Sequence, residues 1–279
     1  MPSESTKPTD TDWVFKQFLY EDVLRDLDNH FQRLNIDYMP IKGAYLICAG
    51  LAQQLKTRTM FDIDLLVREK DFDAVISYFT NLPGVAIVEK SWPIYKKGWP
   101  FEVSMYYPFE GRTINIDIHK LINLRQRFLL PPEALFARGS KQGLRRTLPC
   151  AEDALAICLC HGFSHIAHVF SKHVFDDIAA LTSASVNWII FREIAESTGI
   201  SAFMYYALKL CQKERGAPLL PFEDATVRRA YADLLLTAFS GRRSVHALPK
   251  IARRLFLELP FCRDPIGLMI DKCGRILCK

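Results

Sequence analysis

Three acidic residues are spaced as metal ligands would be. Asp62 and Asp64 flank one isoleucine in Phe61-Asp62-Ile63-Asp64-Leu65-Leu66-Val67. This short apolar run reads as a strand. Residues two apart in a strand face the same way, so the two carboxylates project side by side while Ile63 and Leu65 turn toward a core. Adjacent carboxylates repel and call for a cation or a shared proton. A hard divalent ion with oxygen ligands meets that need, and Mg2+ is the commonest at phosphate-transfer sites. Asp117 lies in a second run, Thr113-Ile114-Asn115-Ile116-Asp117-Ile118-His119, which alternates strictly. Its isoleucines form one face; Asn115, Asp117 and His119 form the other, which either meets solvent or lines a site. If the two strands are neighbours, Asp62, Asp64 and Asp117 converge. Three carboxylates can hold two Mg2+ ions, one activating an attacking oxygen and one clamping a leaving pyrophosphate. The three aspartates are therefore the expected catalytic residues and the expected metal ligands. An isolated Asp-x-Asp is commonplace; the two patterned segments in this order carry the expectation.

Other residues suit a phosphate-bearing ligand. Lys42-Gly43-Ala44 stands at a strand-to-helix junction. A glycine there lets backbone N–H groups approach phosphate oxygens, and a helix N-terminus favours the anion; it also suits a simple tight turn. Arg58 offers a planar fork for a triphosphate, or else a surface charge. His161, His165 and His168 recur at i, i+4 and i+7, one face of a helix, with His173 beyond. Imidazoles four apart can share a zinc ion, but Gly162 occupies the place a catalytic glutamate takes in a His-Glu-x-x-His helix. Two other readings of that face are nucleotide contact through His161 or His165 and a purely structural role. The expected nucleotide-binding set is Lys42, Gly43, Arg58, His119, His161 and His165.

The elements that must position these residues alternate in the first half of the chain. Apolar spacing through Phe15, Phe18, Leu19, Val23, Leu24, Leu27 and Phe31 predicts a helix over 13–34. Strands are predicted at 37–41, 62–67 and 85–88, and helices over 44–55 and 71–81. Residues 101–107 and 113–119 form an antiparallel hairpin around Pro108-Phe109-Glu110-Gly111. From about Cys150 there is no convincing strand. Helices are expected near 152–168, 173–183, 187–198, 201–214, 223–239 and 245–258, the later ones punctuated by prolines. The expected organisation is a disordered N-terminus at 1–12, an α/β (α+β) domain at 13–149 with a mixed sheet flanked by helices, and a helical domain at 150–279.

Composition is compatible with this. A chain of 279 residues with 49% hydrophobic content buries a sizeable core. A formal charge of +5 assists anionic substrates without indicating nucleic-acid binding. The basic pairs Arg228-Arg229, Arg242-Arg243 and Arg253-Arg254 read as solvated helix surface, with an anionic acceptor as the other option. Eight scattered cysteines form no Cys-x-x-Cys pair and read as reduced thiols of a cytoplasmic protein. The polar N-terminus is no signal peptide, and no apolar run is long enough for a bilayer, so no membrane partner is expected.

Three motifs together resemble the polymerase-beta-like nucleotidyltransferase superfamily: Ile41-Lys42-Gly43, Arg58-x-Met60-x-Asp62-Ile63-Asp64-Leu65-Leu66-Val67, and Ile116-Asp117-Ile118-His119. More narrowly they resemble an uncharacterised bacterial nucleotidyltransferase family. The likeness spans roughly residues 35–200, including the His161 and His165 helix and Asp176-Asp177-Ile178-Ala179. It implies a mixed-sheet core, an NTP donor, a hydroxyl acceptor (small molecule, protein or RNA) and Mg2+, with Mn2+ as a substitute. By motif, Asp62, Asp64 and Asp117 hold the metal, Asp117 also helps deprotonate the acceptor, and Lys42 and Gly43 stand near the phosphates. Two departures touch the phosphate contacts: Gly43 is followed by Ala44 in place of serine or glycine, and the stretch from Gly43 to Asp62 is long. They leave open a non-catalytic nucleotide-binding or interaction module. A metal hydrolase built on the histidine cluster is the third reading.

Overall fold

The apolar spacing of the first helix sets the core. Helix α1 (Asp10–Leu34) buries Tyr20, Val23, Leu24, Leu27 and Phe31 along one stripe. Phe18, which the spacing placed in that stripe, is 61% exposed; Tyr20 is buried in the stripe. The computed structural model describes residues 10–51, 62–88, 101–122, 130–164 and 172–201, with positions 204, 205, 207, 208, 211 and 212.

After α1 come β1 (Tyr38–Pro40), α2 (Lys42–Cys48), β2 (Asp62–Val67), a 3-10 turn at Glu69–Asp71, α3 (Phe72–Thr80), β3 (Ala86–Ile87), β4 (Glu102–Phe109) and β5 (Arg112–His119). The strands form one mixed sheet in the order β1-β2-β5-β4-β3. Only β2 and β5 pair in parallel; the other neighbours are antiparallel. One sheet face carries Ile63, Leu65, Val67, Met105, Tyr107, Ile114, Ile116 and Ile118, all packed with the α1 stripe and with Phe72, Val75 and Phe79 of α3. Phe31 stacks on Tyr38 with ring centroids 4.3 Å apart.

Two elements differ from the periodicity reading. The helix predicted over 44–55 starts earlier and closes at Cys48, where Gly50 turns left-handed at φ 68° and stops it. Toward the turn, β4 runs two residues further than predicted and β5 starts one residue earlier, so Pro108 pairs with Thr113 and Phe109 with Arg112. That leaves Glu110 and Gly111 alone in the loop, both at positive φ (46° and 74°), the two-residue turn that matches strand twist.

Helix α4 (Pro132–Arg138) and the small pair β6 (Ser140–Lys141) and β7 (Thr147–Leu148) were not legible from periodicity, being too short to show a period. They bring Arg146 against the first helix: its guanidinium bonds both Asp28 oxygens, the Tyr38 hydroxyl (3.1 Å) and the Leu24 carbonyl (3.2 Å). Then follow α5 (Ala151–Ser164), α6 (Lys172–Ser183) and α7 (Trp188–Thr198), in agreement with the helical second half. The Asn187 side chain caps α7 by accepting from the Ile189 and Ile190 N–H groups, and Gly199 ends it at φ 79°. Helix continues through the described positions from 201 to 212; the helices expected at 223–239 and 245–258 lie outside the described residues. The described residues fall into two compact units. The first holds 10–51, 62–88, 102–120 and 136–149; the second holds 101, 121–122, 130–135 and the helices from 150 onward. No helix among the described residues is long and apolar enough to cross a membrane.

A polar chain runs along the edge of the first unit's core. His30 Nδ1 lies 2.8 Å from the Tyr78 hydroxyl and Nε2 lies 2.9 Å from the Tyr107 hydroxyl, which itself donates to Asp26 at 2.5 Å. A neutral ring protonated at Nε2 satisfies all three contacts. Burial lowers the His30 pKa from its ordinary 6.5, outweighing the opposite pull of Asp26.

Truncating Phe31, fully buried and stacked, to alanine will cost about 3–5 kcal/mol of stability, read from urea unfolding midpoints. Because the unfolded chain takes up the His30 proton more readily than the folded one, stability will decline as pH falls below about 6.5. Urea titrations between pH 7.5 and 5 will show a shallower decline in His30→Gln; an unchanged slope would remove His30 as the cause.

Candidate active site

The register of three strands builds the site. Ile63, Leu65, Ile114, Ile116, Ile118 and Met105 face the core, so the alternate residues share the opposite face. Across β2, β5 and β4 the paired rows read Asp62, Asn115, Tyr106; then Asp64, Asp117, Ser104; then Leu66, His119, Glu102. Parallel pairing of β2 with β5 thus makes Asp64 and Asp117 direct neighbours, as the alternation required. A one-residue slip would send the whole row into the apolar core.

Four of these polar residues are deeply buried: Asp64 is 4% exposed, Ser104 3%, Asp117 8% and His119 1%. Buried charge demands partners, and Asp64 has two on one oxygen. Lys42 Nζ donates to Asp64 Oδ1 at 2.5 Å, and His119 Nε2 lies 2.8 Å from the same atom. Burial pushes the Asp64 carboxyl up, but the Lys42 ammonium and His119 together outweigh it and hold it well below the usual carboxylate range. Burial likewise depresses Lys42, and the Asp64 charge more than restores it. On Asp117 the nearest contact is weak, Asn115 Nδ2 at 3.5 Å.

Lys42 reaches Asp64 from an unusual backbone. It is the first residue of α2 and sits at φ 52°, the left-handed region that costs a side-chain-bearing residue about 1–2 kcal/mol. The Ile41 N–H donates to the Asp64 carbonyl at 3.0 Å, which ties this junction to β2. Gly43 follows, buried, and the next two N–H groups, of Ala44 and Tyr45, both donate to the Ile41 carbonyl. They belong to the first turn of the helix itself.

The ligand atoms of Asp64, Asp117 and His119 all lie within 4.8 Å of one another, the one such group of three among the described residues. Two carboxylates and an imidazole are a donor set that fits a divalent cation. Asp62 stands outside that group. It is half-buried, one side-chain repeat along β2, and its charge is felt at Lys42. Arg58 and His165 lie outside the described residues, as does His168; His161 is half-buried on α5, in the second unit.

Two residues of this face escaped the sequence reading. Glu102 Oε2 lies 3.4 Å from His119 Nδ1, within ion-pair distance but short of hydrogen-bond geometry. Ser104, 3% exposed and paired with Asp117, has a buried hydroxyl with no hydrogen-bond partner among the described residues. Both belong to the outer strand of the predicted hairpin. Fixing its turn at Glu110-Gly111 would have placed them opposite His119 and Asp117.

No curated protein matches the chain. A family model described as uncharacterised nucleotidyltransferase matches residues 12–215, from the start of α1 through the helices of the second unit. With that match covering most of its length, the chain belongs to this family of nucleotidyltransferases.

Proposed function

We propose that the protein transfers a nucleotidyl group from an NTP to a hydroxyl acceptor, with Mg2+ held at Asp62, Asp64 and Asp117 in a two-ion arrangement that also admits Mn2+. The observation that carries this reading is the parallel register of β2 and β5, which sets Asp64 beside Asp117 on the polar sheet face. When bound, divalent ions lower the proton affinity of the attacking oxygen and neutralise charge on the departing pyrophosphate. The chain's own groups do the rest. Asp64 stays ionised because Lys42 and His119 hold its charge. Asp117 receives the acceptor proton as the acceptor oxygen bonds to the α-phosphorus and the bond to the bridging oxygen breaks, its electron pair leaving with pyrophosphate. Lys42 supplies a positive charge beside the phosphates, and Gly43 gives the backbone room there. On the sequence motifs alone, Arg58, His161 and His165 are proposed as further nucleotide contacts. The free state of Cys48, Cys150, Cys158, Cys160 and Cys211 supports a cytoplasmic setting.

A second reading, nucleotide binding without turnover, draws on two features: the Lys42 ammonium already neutralises Asp64, and Ala44 offers no hydroxyl to a phosphate.

Purified protein will be incubated with α-labelled NTPs, Mg2+ and panels of small-molecule, protein and RNA acceptors. Label is expected in one acceptor class, and Asp64→Asn is expected to cut it by at least about a hundredfold while leaving the circular dichroism spectrum unchanged. Equal labelling by Asp64→Asn would refute the transfer mechanism. Saturable NTP binding with no labelled acceptor would favour the second reading.

A further inference from the structure

His119 has a carboxylate on each side. Its Nε2 faces Asp64 at 2.8 Å and its Nδ1 faces Glu102 at 3.4 Å, with the ring only 1% exposed. An imidazole ligates a metal through one nitrogen while the other donates its proton to a carboxylate or carbonyl that fixes ring and tautomer. Glu102 is in register with His119 and stands where that second acceptor belongs. One ligand atom each of Asp64, Asp117 and His119 lies within 4.8 Å of the others, and Nε2 is the ring nitrogen that meets Asp64. A second, independent feature points to a ligand at the same place. The Ser104 hydroxyl is buried on the site face beside Asp117 and has no hydrogen-bond partner among the described residues, as suits a hydroxyl that bonds a water or ligand of a held ion.

Resting on the nucleotidyl-transfer reading, we propose that His119 Nε2 is a nitrogen ligand to the divalent cation held by Asp64 and Asp117, that Glu102 is the positioning residue for this ring, and that the site therefore prefers Mn2+ to Mg2+. A bound cation would take the Nε2 lone pair, with Nδ1 directed toward Glu102. Mg2+ favours oxygen ligands almost exclusively, whereas imidazole serves the later first-row ions.

The test uses the full-length protein without nucleotide. Mn2+ binding is followed by electron paramagnetic resonance, with Mg2+ as competitor, and electron spin echo modulation reads any bound nitrogen. Wild type is expected to bind Mn2+ at least about tenfold more tightly than Mg2+ and to show 14N modulation. That modulation should change to the 15N pattern in protein grown with 15N-histidine, a comparison that needs no mutation. In His119→Asn the modulation should vanish and the preference for Mn2+ should narrow. Glu102→Gln should weaken Mn2+ about tenfold or more and alter the 14N coupling. Unchanged affinity and coupling in Glu102→Gln would overturn the role of Glu102. Mn2+ bound without nitrogen modulation would overturn the ligand assignment and leave the carboxylate site standing. Binding of neither ion would overturn both this inference and the metal-dependent reading beneath it.

Discussion

The parallel contact between β2 and β5 is the constraint on which the site depends. The other strand pairings of the sheet among the described residues are antiparallel, and a crossover through α3 lets β2 and β5 run the same way. Alternation on both strands then separates the two faces completely. Ile63, Leu65, Ile114, Ile116 and Ile118 fill one side, while Asp64, Asp117 and His119 stand together on the other. Burial of the apolar row under α1 and α3 provides the driving force that holds three ionisable groups at 8% exposure or less.

The charge balance of that polar face is local. Asp64 is matched by Lys42, whose position follows from the strained turn at the mouth of α2 and from the Ile41 N–H bond to β2. Backbone strain of this kind persists where surrounding structure over-determines it, and such places are commonly functional. Among the described residues Asp117 has no comparable cation beside it, only the distant amide of Asn115. The face is thus unevenly compensated, strongly at Asp64 and weakly at Asp117, as suits a pocket that receives positive charge from outside.

Much of this was legible in the residues themselves, for identifiable reasons. The Asp62-x-Asp64 and Asn115-x-Asp117-x-His119 rows have period two, which translates directly into one sheet face, and helices α1, α3, α5, α6 and α7 each carry a long apolar period. What escaped was short or non-local. Helix α4 and the β6/β7 pair contain too few residues for a period to register. The parts played by Glu102 and Ser104 depend on a partner strand's register, which a single segment does not encode. Lys42 was placed near phosphates by its motif, but its bond to Asp64 depends on a backbone angle that side-chain patterning leaves unspecified. Phe18 shows the converse, an apolar residue in helical step with the core that nonetheless faces solvent.

The anchoring of Arg146 bears on how the chain matures on the ribosome. All five strands of the mixed sheet are complete by His119, yet Asp28, Tyr38 and the Leu24 carbonyl wait for a guanidinium encoded further on. The Tyr38 N–H also waits for the Arg145 carbonyl. A nascent chain truncated between β5 and β7 therefore leaves the edge at β1 unfinished, with Asp28 bonded by the Tyr38 hydroxyl but lacking its guanidinium. The contacts that Arg145 and Arg146 make with β1 and α1 can form only once residues 145–146 have been synthesised.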